Sequence, residues 1–194
     1  MVGLFKIYVK KIMGGVKCLL YNISHGKDVE FGTHFKYVNE HGTMSVGDNV
    51  IISSFTYIFN VRPNAYVEIG SNVRIGHHLQ ISCANHVNIC SNVNIGPFVF
   101  LTDHNHKFEN PDVPIKDQGI RVKPGASLVI GEGSWLGTKV TVVGDVHIGK
   151  HCVIGANSVV TKNIPDYSIA VGIPARVVKQ YNFETKCWER ISKQ

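Results

Sequence analysis

The sequence contains no stretch approaching the roughly 18 consecutive apolar residues of a membrane-spanning helix, so no transmembrane segment is expected. Its five cysteines, Cys18, Cys83, Cys90, Cys152 and Cys187, are odd in number and include no CxxC spacing. That argues against a zinc knuckle and against a disulfide framework, and free thiols in a reducing cytoplasm are the expectation. A dense basic run with interleaved aromatics is also missing, which removes nucleic acid as a partner. The first 21 residues mix Leu4, Phe5, Ile7, Tyr8, Val9, Ile12 and Met13 with Lys6, Lys10, Lys11 and Lys17. They lack a clean apolar core followed by a small-residue cleavage site, so they do not read as a secretory signal. Two readings of this segment stay open: a cap that hides the edge of the fold, or weak attachment to an acidic membrane surface.

What the chain does have is a period of six. From Ile130 the sequence runs Ile130-Gly131, Leu136-Gly137, Val142-Val143, Ile148-Gly149, Ile154-Gly155, Val160-Thr161. An aliphatic residue at every sixth position, mostly followed by a small one, fits neither the helical period of 3.6 nor strand alternation. It implies a coil of short strands and tight corners, the aliphatic side chain pointing into a narrow core and the small residue easing the corner. One unit cannot bury its apolar face alone, so units must stack and share a core. The same signal passes through Val46 and Ile52, then Ile69, Ile75, Ile81 and Val87, then Ile89, Ile95 and Leu101, with Val29-Glu30-Phe31-Gly32 as a degenerate earlier coil. At 194 residues and 44% hydrophobic content, one domain with one core is expected. Cys152 falls on an inward small position, where a buried inert thiol is expected.

The repeat breaks once on a large scale. Thr102 to Val129 carries charge, three prolines and no period, and a loop on a rigid scaffold is where function concentrates. Its mouth reads Thr102-Asp103-His104-Asn105-His106. The formal charge of +6 favours anionic partners, such as a phosphorylated cofactor or a nucleotide-linked substrate.

Tandem aliphatic-small units of this kind resemble the hexapeptide-repeat acyltransferases. The resemblance implies an all-β fold, a left-handed parallel β-helix with three hexapeptides per coil and a protruding loop. It divides the chain into an N-terminal cap (1–25), the β-helix (26–166, with the active-site loop at 102–129) and a C-terminal segment (167–194). In that last segment Phe183, Cys187, Trp188 and Ile191 suggest a short amphipathic helix over Tyr181 to Ile191.

The loop motif Asp103-His104-Asn105-His106-Lys107-Phe108-Glu109-Asn110-Pro111 is similar to that of the sugar and polysaccharide O-acetyltransferases in this family, the group that includes galactoside and maltose acetyltransferases. It puts His104 in the catalytic position. A sugar hydroxyl is too weakly acidic to attack a thioester unaided, so a base with a pKa near working pH must take its proton. No serine or cysteine nucleophile is needed, and direct transfer is expected. Asp103 is not assigned to orient the imidazole, because neighbours in an extended segment point to opposite sides. His106, two residues on, is expected in the acceptor pocket. Asn85, beside His86, interrupts the aliphatic rhythm in the preceding coil and is a second acceptor-side candidate. Related galactoside enzymes carry an aspartate near Ala84, a departure that disfavours a simple free galactoside.

The same resemblance supplies the cofactor side, acetyl-CoA. Trp135, in Gly133-Ser134-Trp135-Leu136-Gly137, would flank the acyl channel, Thr138 and Ala156 would meet the pantetheine arm, and Thr161 and Lys162 would approach the nucleotide phosphates. Arg176 and Lys179, around Gly172-Ile173-Pro174-Ala175-Arg176-Val177, would pair with the phosphorylated ribose. A homotrimer with active sites between subunits is implied, working in the cytoplasm or at the inner face of the membrane on a precursor of capsule, O-antigen or exopolysaccharide. Transfer to an amino sugar, free or nucleotide-linked, is the alternative. A γ-type carbonic anhydrase shares the β-helix, but no two histidines here have four residues between them as that zinc site requires, so no metal is expected.

Overall fold

The aliphatic column of the sequence becomes the inside of a triangular prism. In the computed structural model, which describes residues 13–39 and 42–191, three parallel sheets wind into a left-handed β-helix. The first sheet stacks Ser24–His25, Thr43–Val46, Tyr66–Ile69, His86–Ile89, Leu128–Ile130 and Val146–Ile148. The second begins with Val29–Phe31, Val50–Ile52, Arg74–Ile75, Asn94–Ile95, Trp135–Leu136 and Val153–Ile154. The third stacks Lys36–Asn39, Tyr57–Asn60, Gln80–Cys83, Phe100–Thr102, Thr141–Val143 and Val159–Val160.

Strands of two to four residues cannot bury enough surface singly, so the fold holds through stacking. Ile75, Ile95, Leu136 and Ile154 form one inward column, Ile69, Ile89, Ile130 and Ile148 a second, and Ile58, Ile81, Leu101 and Val142 a third, all essentially inaccessible. Each such side chain contributes about 1.5–3 kcal/mol by burial. The small residue after each aliphatic one has a different reason from the one its corner position suggests. A Cβ added to Gly96 would meet the Thr138 nitrogen at 2.8 Å, and one on Gly137 the Ala156 nitrogen at 2.7 Å. Close approach of the next coil excludes the side chain there. Positive φ at the corners falls instead on Asn49, Phe55, Asn72, His78, Asn92 and Phe98, among others.

Residues 13–20 are helical and lie across the first coil. Cys18 and the following Ile23 are buried, Lys17 Nζ donates to Gly32 O at 2.7 Å, and Tyr21 meets Phe35 and Tyr37 edge-on. This helix covers the open end of the core, while Leu19 and Leu20 face outward. The lysines Lys6, Lys10 and Lys11, on which the membrane reading partly rests, lie outside the described residues.

At the other end the expected helix over Tyr181 to Ile191 is absent. Ser168–Gly172, Ala175–Asn182 and Cys187–Arg190 extend the second sheet to nine strands, the last two antiparallel. The last parallel strand exposes unpaired backbone groups that a hairpin satisfies and a helix cannot. Asn182 Oδ1 accepts the N–H groups of Glu184 and Thr185 and closes the turn. Tyr181 then faces Trp188 across the hairpin, ring centroids 5.4 Å apart. The apolar spacing suits either structure in so short a run, and the sheet edge decides between them.

The long loop leaves at the third-to-first corner and returns at Leu128, which resumes the register opposite Val87. Between these points Asn105–His106 pairs antiparallel with Ile120–Arg121. Gln118 Nε2 donates to the carbonyls of Asn110 and Val113, and Arg121 pairs with Glu109 beneath the Phe108 ring.

Candidate active site

The strand Phe100–Thr102 ends at a corner, and the next two side chains turn inward together. Asp103 is 1% exposed and His104 9%. Below them the coil corner at Ala84, Asn85 and His86 points three backbone N–H groups at the aspartate. Ala84 donates to Oδ1 at 2.8 Å, and Asn85 and His86 to Oδ2 at 2.7 and 2.9 Å. Such a concave set of amides is an anion nest. Burial pushes the Asp103 carboxyl up, but the hydrogen bonds from His104, Ala84 and Asn85 outweigh it and hold the pKa below the ordinary aspartate value. The group is a carboxylate that can only accept.

That fixes the histidine. Nδ1 of His104 lies 3.1 Å from Asp103 Oδ1 and 3.1 Å from Thr102 Oγ1. Facing an ionised acceptor, Nδ1 carries the proton, so in the neutral ring the lone pair falls on Nε2. The expectation that Asp103 would point away from His104 is therefore overturned. Alternation holds along a strand, and Asp103 follows the strand's last residue, where the backbone turns. The sequence signal that could have shown this is the repeat itself, since a corner is due after Leu101-Thr102.

The other candidates are distributed over the prism. Asn85 joins this cluster through its backbone, while its side-chain Nδ2 donates to Ala126 O and ties the returning loop to the corner. His86 stacks on Tyr66 on the outer face of the first sheet, 3.8 Å from Glu68. His106 is exposed on the two-stranded ribbon and does not share the enclosed position of His104.

Trp135 is 51% exposed on the outer face of the second sheet. Thr138 and Ala156 sit at the second-to-third corner on successive coils, Thr138 O accepting the Asn157 N–H. Thr161 and Lys162 lie instead at the third-to-first corner, on the same prism edge as His104 and both exposed. A single chain thus splits these residues between two edges of the prism. Phe98 and His104, at the two ends of the intervening strand, are six residues apart in sequence, on the order of 15–20 Å for near-extended chain.

Arg176 and Lys179 are three apart and would point to opposite faces of a regular strand. A bulge removes that conflict. Ile169 pairs with Lys179 and Ala170 with Val177, so Val178 is unpaired and the alternation shifts by one. Arg176, opposite Val171, and Lys179, opposite Ile169, then share the outer face. Pairing continues across the sheet as Arg74, Asn94, Trp135, Val153, Ile169, Lys179 and Arg190 in one row. At about 4.8 Å per strand, Lys179 is about 14 Å and Arg190 about 19 Å from Trp135. Arg190 escaped sequence reasoning because a helix there gave it no partner strand. No group of three or more potential metal-ligating side chains occurs among the described residues.

Residues 127–162 match the family model described as bacterial transferase hexapeptide (six repeats). The chain is 35% identical over 163 residues to the Escherichia coli K12 protein WbbJ, provisionally named a lipopolysaccharide biosynthesis O-acetyl transferase, covering 79% of this chain and 80% of that one. The chain belongs to the hexapeptide-repeat acetyltransferases. The galactoside O-acetyltransferase of the same organism is 31% identical, with 91% and 82% of the two chains covered. Among solved structures, the N-acyltransferase AntD of Bacillus cereus, in complex with dTDP and 3-hydroxybutyryl-CoA, superposes with a TM-score of 0.71 at 20% identity, over 89% of this chain and 90% of that one. As a member of this family the protein is an acyltransferase, and the β-helix is the family's fold. Among the described residues no helix is long and apolar enough to cross a membrane.

Proposed function

We propose that the protein transfers an acetyl group from acetyl-CoA to a sugar hydroxyl of a cell-surface glycan precursor, by direct attack with His104 as general base. The observation that carries this reading is the bond between Asp103 and His104 Nδ1, which puts the lone pair of the neutral ring on Nε2. A hydroxyl bonded to Nε2 gives up its proton as its oxygen attacks the thioester carbon. The C–S bond then breaks, and the imidazolium returns the proton to the departing thiolate. The oxyanion formed between these steps needs a donor, a role suited to a backbone N–H at the corner. A neutral amine has less need of a base, so the buried dyad favours a hydroxyl over an amino-sugar acceptor. The relatives named for O-acetyl transfer support the same choice.

For the cofactor, the outer row of the second sheet gives a path. Trp135, Thr138 and Ala156 would take the acyl and pantetheine end, and Arg176, Lys179 and Arg190 the phosphates. Thr161 and Lys162 face that path only if another subunit supplies it. The third sheet points to such an assembly. Its outer face presents Tyr57, Phe59, Phe100, Val143 and Val159 and carries no formal charge from Tyr57 to Val159. The other two faces carry Glu68 and His147, and Arg74 and Lys179. An uncharged face with aromatic residues has the composition of an interface core. Closing three copies around an axis in front of it brings the His104 edge of one against the Thr138 edge of the next. The enzyme would act in the cytoplasm, where acetyl-CoA is found.

The test is acetyl transfer read as free thiol release, with a panel of sugars and nucleotide sugars, for wild type and His104→Ala. Acceptor-dependent release that the substitution abolishes is expected. Release that survives it would move the base elsewhere, with His106 next to try.

A further inference from the structure

Four rings stand in file along the second-to-third corner. His34, Phe55, His78 and Phe98 come from successive coils, and each occupies a corner residue with φ between 56° and 62°. Elsewhere the equivalent conformation is held by asparagines such as Asn49, Asn72 and Asn92, the residue type that tolerates it best. The rings are nearly parallel, at 4°, 7° and 6°, with centroids 4.6, 4.8 and 4.6 Å apart. That is the strand spacing of the coil itself. Phe55 and Phe98 remain 47% and 52% exposed, so core packing does not account for them. The file ends at Phe98, and the next coil puts Lys139 at the corner.

Height along the coil relates this file to the active site. Phe98 and His104 flank the same third-sheet strand, Phe100–Thr102. Rotation about an axis parallel to the coil involves no translation. In the three-fold assembly the Phe98 corner of one subunit is therefore level with the His104 corner of its neighbour. Thr138 lies one coil above, on the acyl-donor side, and His78, Phe55 and His34 descend on the opposite side.

We propose that the ring file of each subunit is the acceptor-side wall of its neighbour's active site, and that the acceptor is an extended glycan. Phe98 of the partner subunit would face the sugar that receives the acetyl group, and the three rings below it would contact further sugars of the same chain. Pyranose C–H faces pack on aromatic surface, and the two imidazoles add donors and acceptors for hydroxyls. One free sugar would need only the last ring, whereas a file over four coils suits several. The proposal deepens the acetyl-transfer reading and rests on it and on the three-fold assembly.

Phe98→Asn removes the ring while keeping a residue that accepts positive φ, and Phe98→Tyr restores a ring. With wild-type turnover established, Phe98→Asn is expected to raise the acceptor KM about ten-fold, with the acetyl-CoA KM unchanged and Phe98→Tyr recovering most of the loss. Phe55→Asn should raise the KM of an oligosaccharide more than that of a single sugar. Equal co-assembly of Phe98→Asn and His104→Ala subunits should restore about one quarter of wild-type activity at low acceptor, because one site in four then joins an intact His104 to an intact Phe98 of the next chain. An unchanged acceptor KM in Phe98→Asn, or mixed assemblies no more active than the mean of their parents, would overturn the proposal. Wild type inactive with every acceptor would instead overturn the enzymatic reading, and a monomer in sedimentation the assembly.

Discussion

His104 donates Nδ1–H to Asp103, its immediate neighbour in the chain, across 3.1 Å, and the same carboxylate accepts the backbone N–H groups of Ala84, Asn85 and His86 from the coil below. Asp103 thus fastens the catalytic candidate to the backbone of the coil below. An imidazole so held has one tautomer and one orientation, as a general base requires.

Replacing Asp103 by Asn keeps the volume but offers His104 an amide that can donate, which favours the wrong tautomer. A fall in kcat of about 100-fold or more is expected, with little change in the KM for acetyl-CoA. Steady-state kinetics on a variant that melts cooperatively would check it, and a change confined to KM would remove Asp103 from this role.

The same carboxyl has a stability signature in acid. Its folded pKa is held below the ordinary aspartate value, so folding favours the ionised form. That contribution is complete above the unfolded pKa near 4 and is lost as pH falls through the lower folded value. Thermal melting from pH 6 to pH 2 should therefore show a steeper acid loss for wild type than for Asp103→Asn.

Arg190 joins Lys179 and Arg176 on one outer face only because of the hairpin and the bulge. Arg190→Ala should raise the KM for acetyl-CoA about three- to ten-fold, and the effect should shrink as salt is added. A dephosphorylated cofactor analogue should show a smaller difference between variant and wild type.

Cys187 is exposed, whereas Cys18, Cys83 and Cys152 are buried. Burial pushes the Cys18 thiol up to about 11 and raises Cys83 and Cys152 as well. Half-buried Cys90 is raised by burial and by the nearby Glu68 and Glu132. With an aromatic disulfide reagent at pH 8, one thiol should react promptly in the native protein and all five in denaturant.

The period of six, the loop it interrupts and the histidine at the loop's mouth could all be read from the letters, because each depends on residues close in the chain. An aliphatic residue every sixth position leaves few ways to bury its side chain other than a stacked coil, and that covers Ile69 through Val160. The orienting aspartate could not be read in this way. Its role depends on three amides 17 to 19 residues earlier, which come together only when one coil lies on another. The last strands were hidden for a similar reason. Phe183, Cys187, Trp188 and Ile191 satisfy a helix as well as a hairpin until the open edge at Ser168–Gly172 supplies backbone partners. Local side-chain pattern therefore determined the coil and the position of the candidate base, and pairing between strands distant in the chain decided the aspartate that holds it, the basic row and the file of rings.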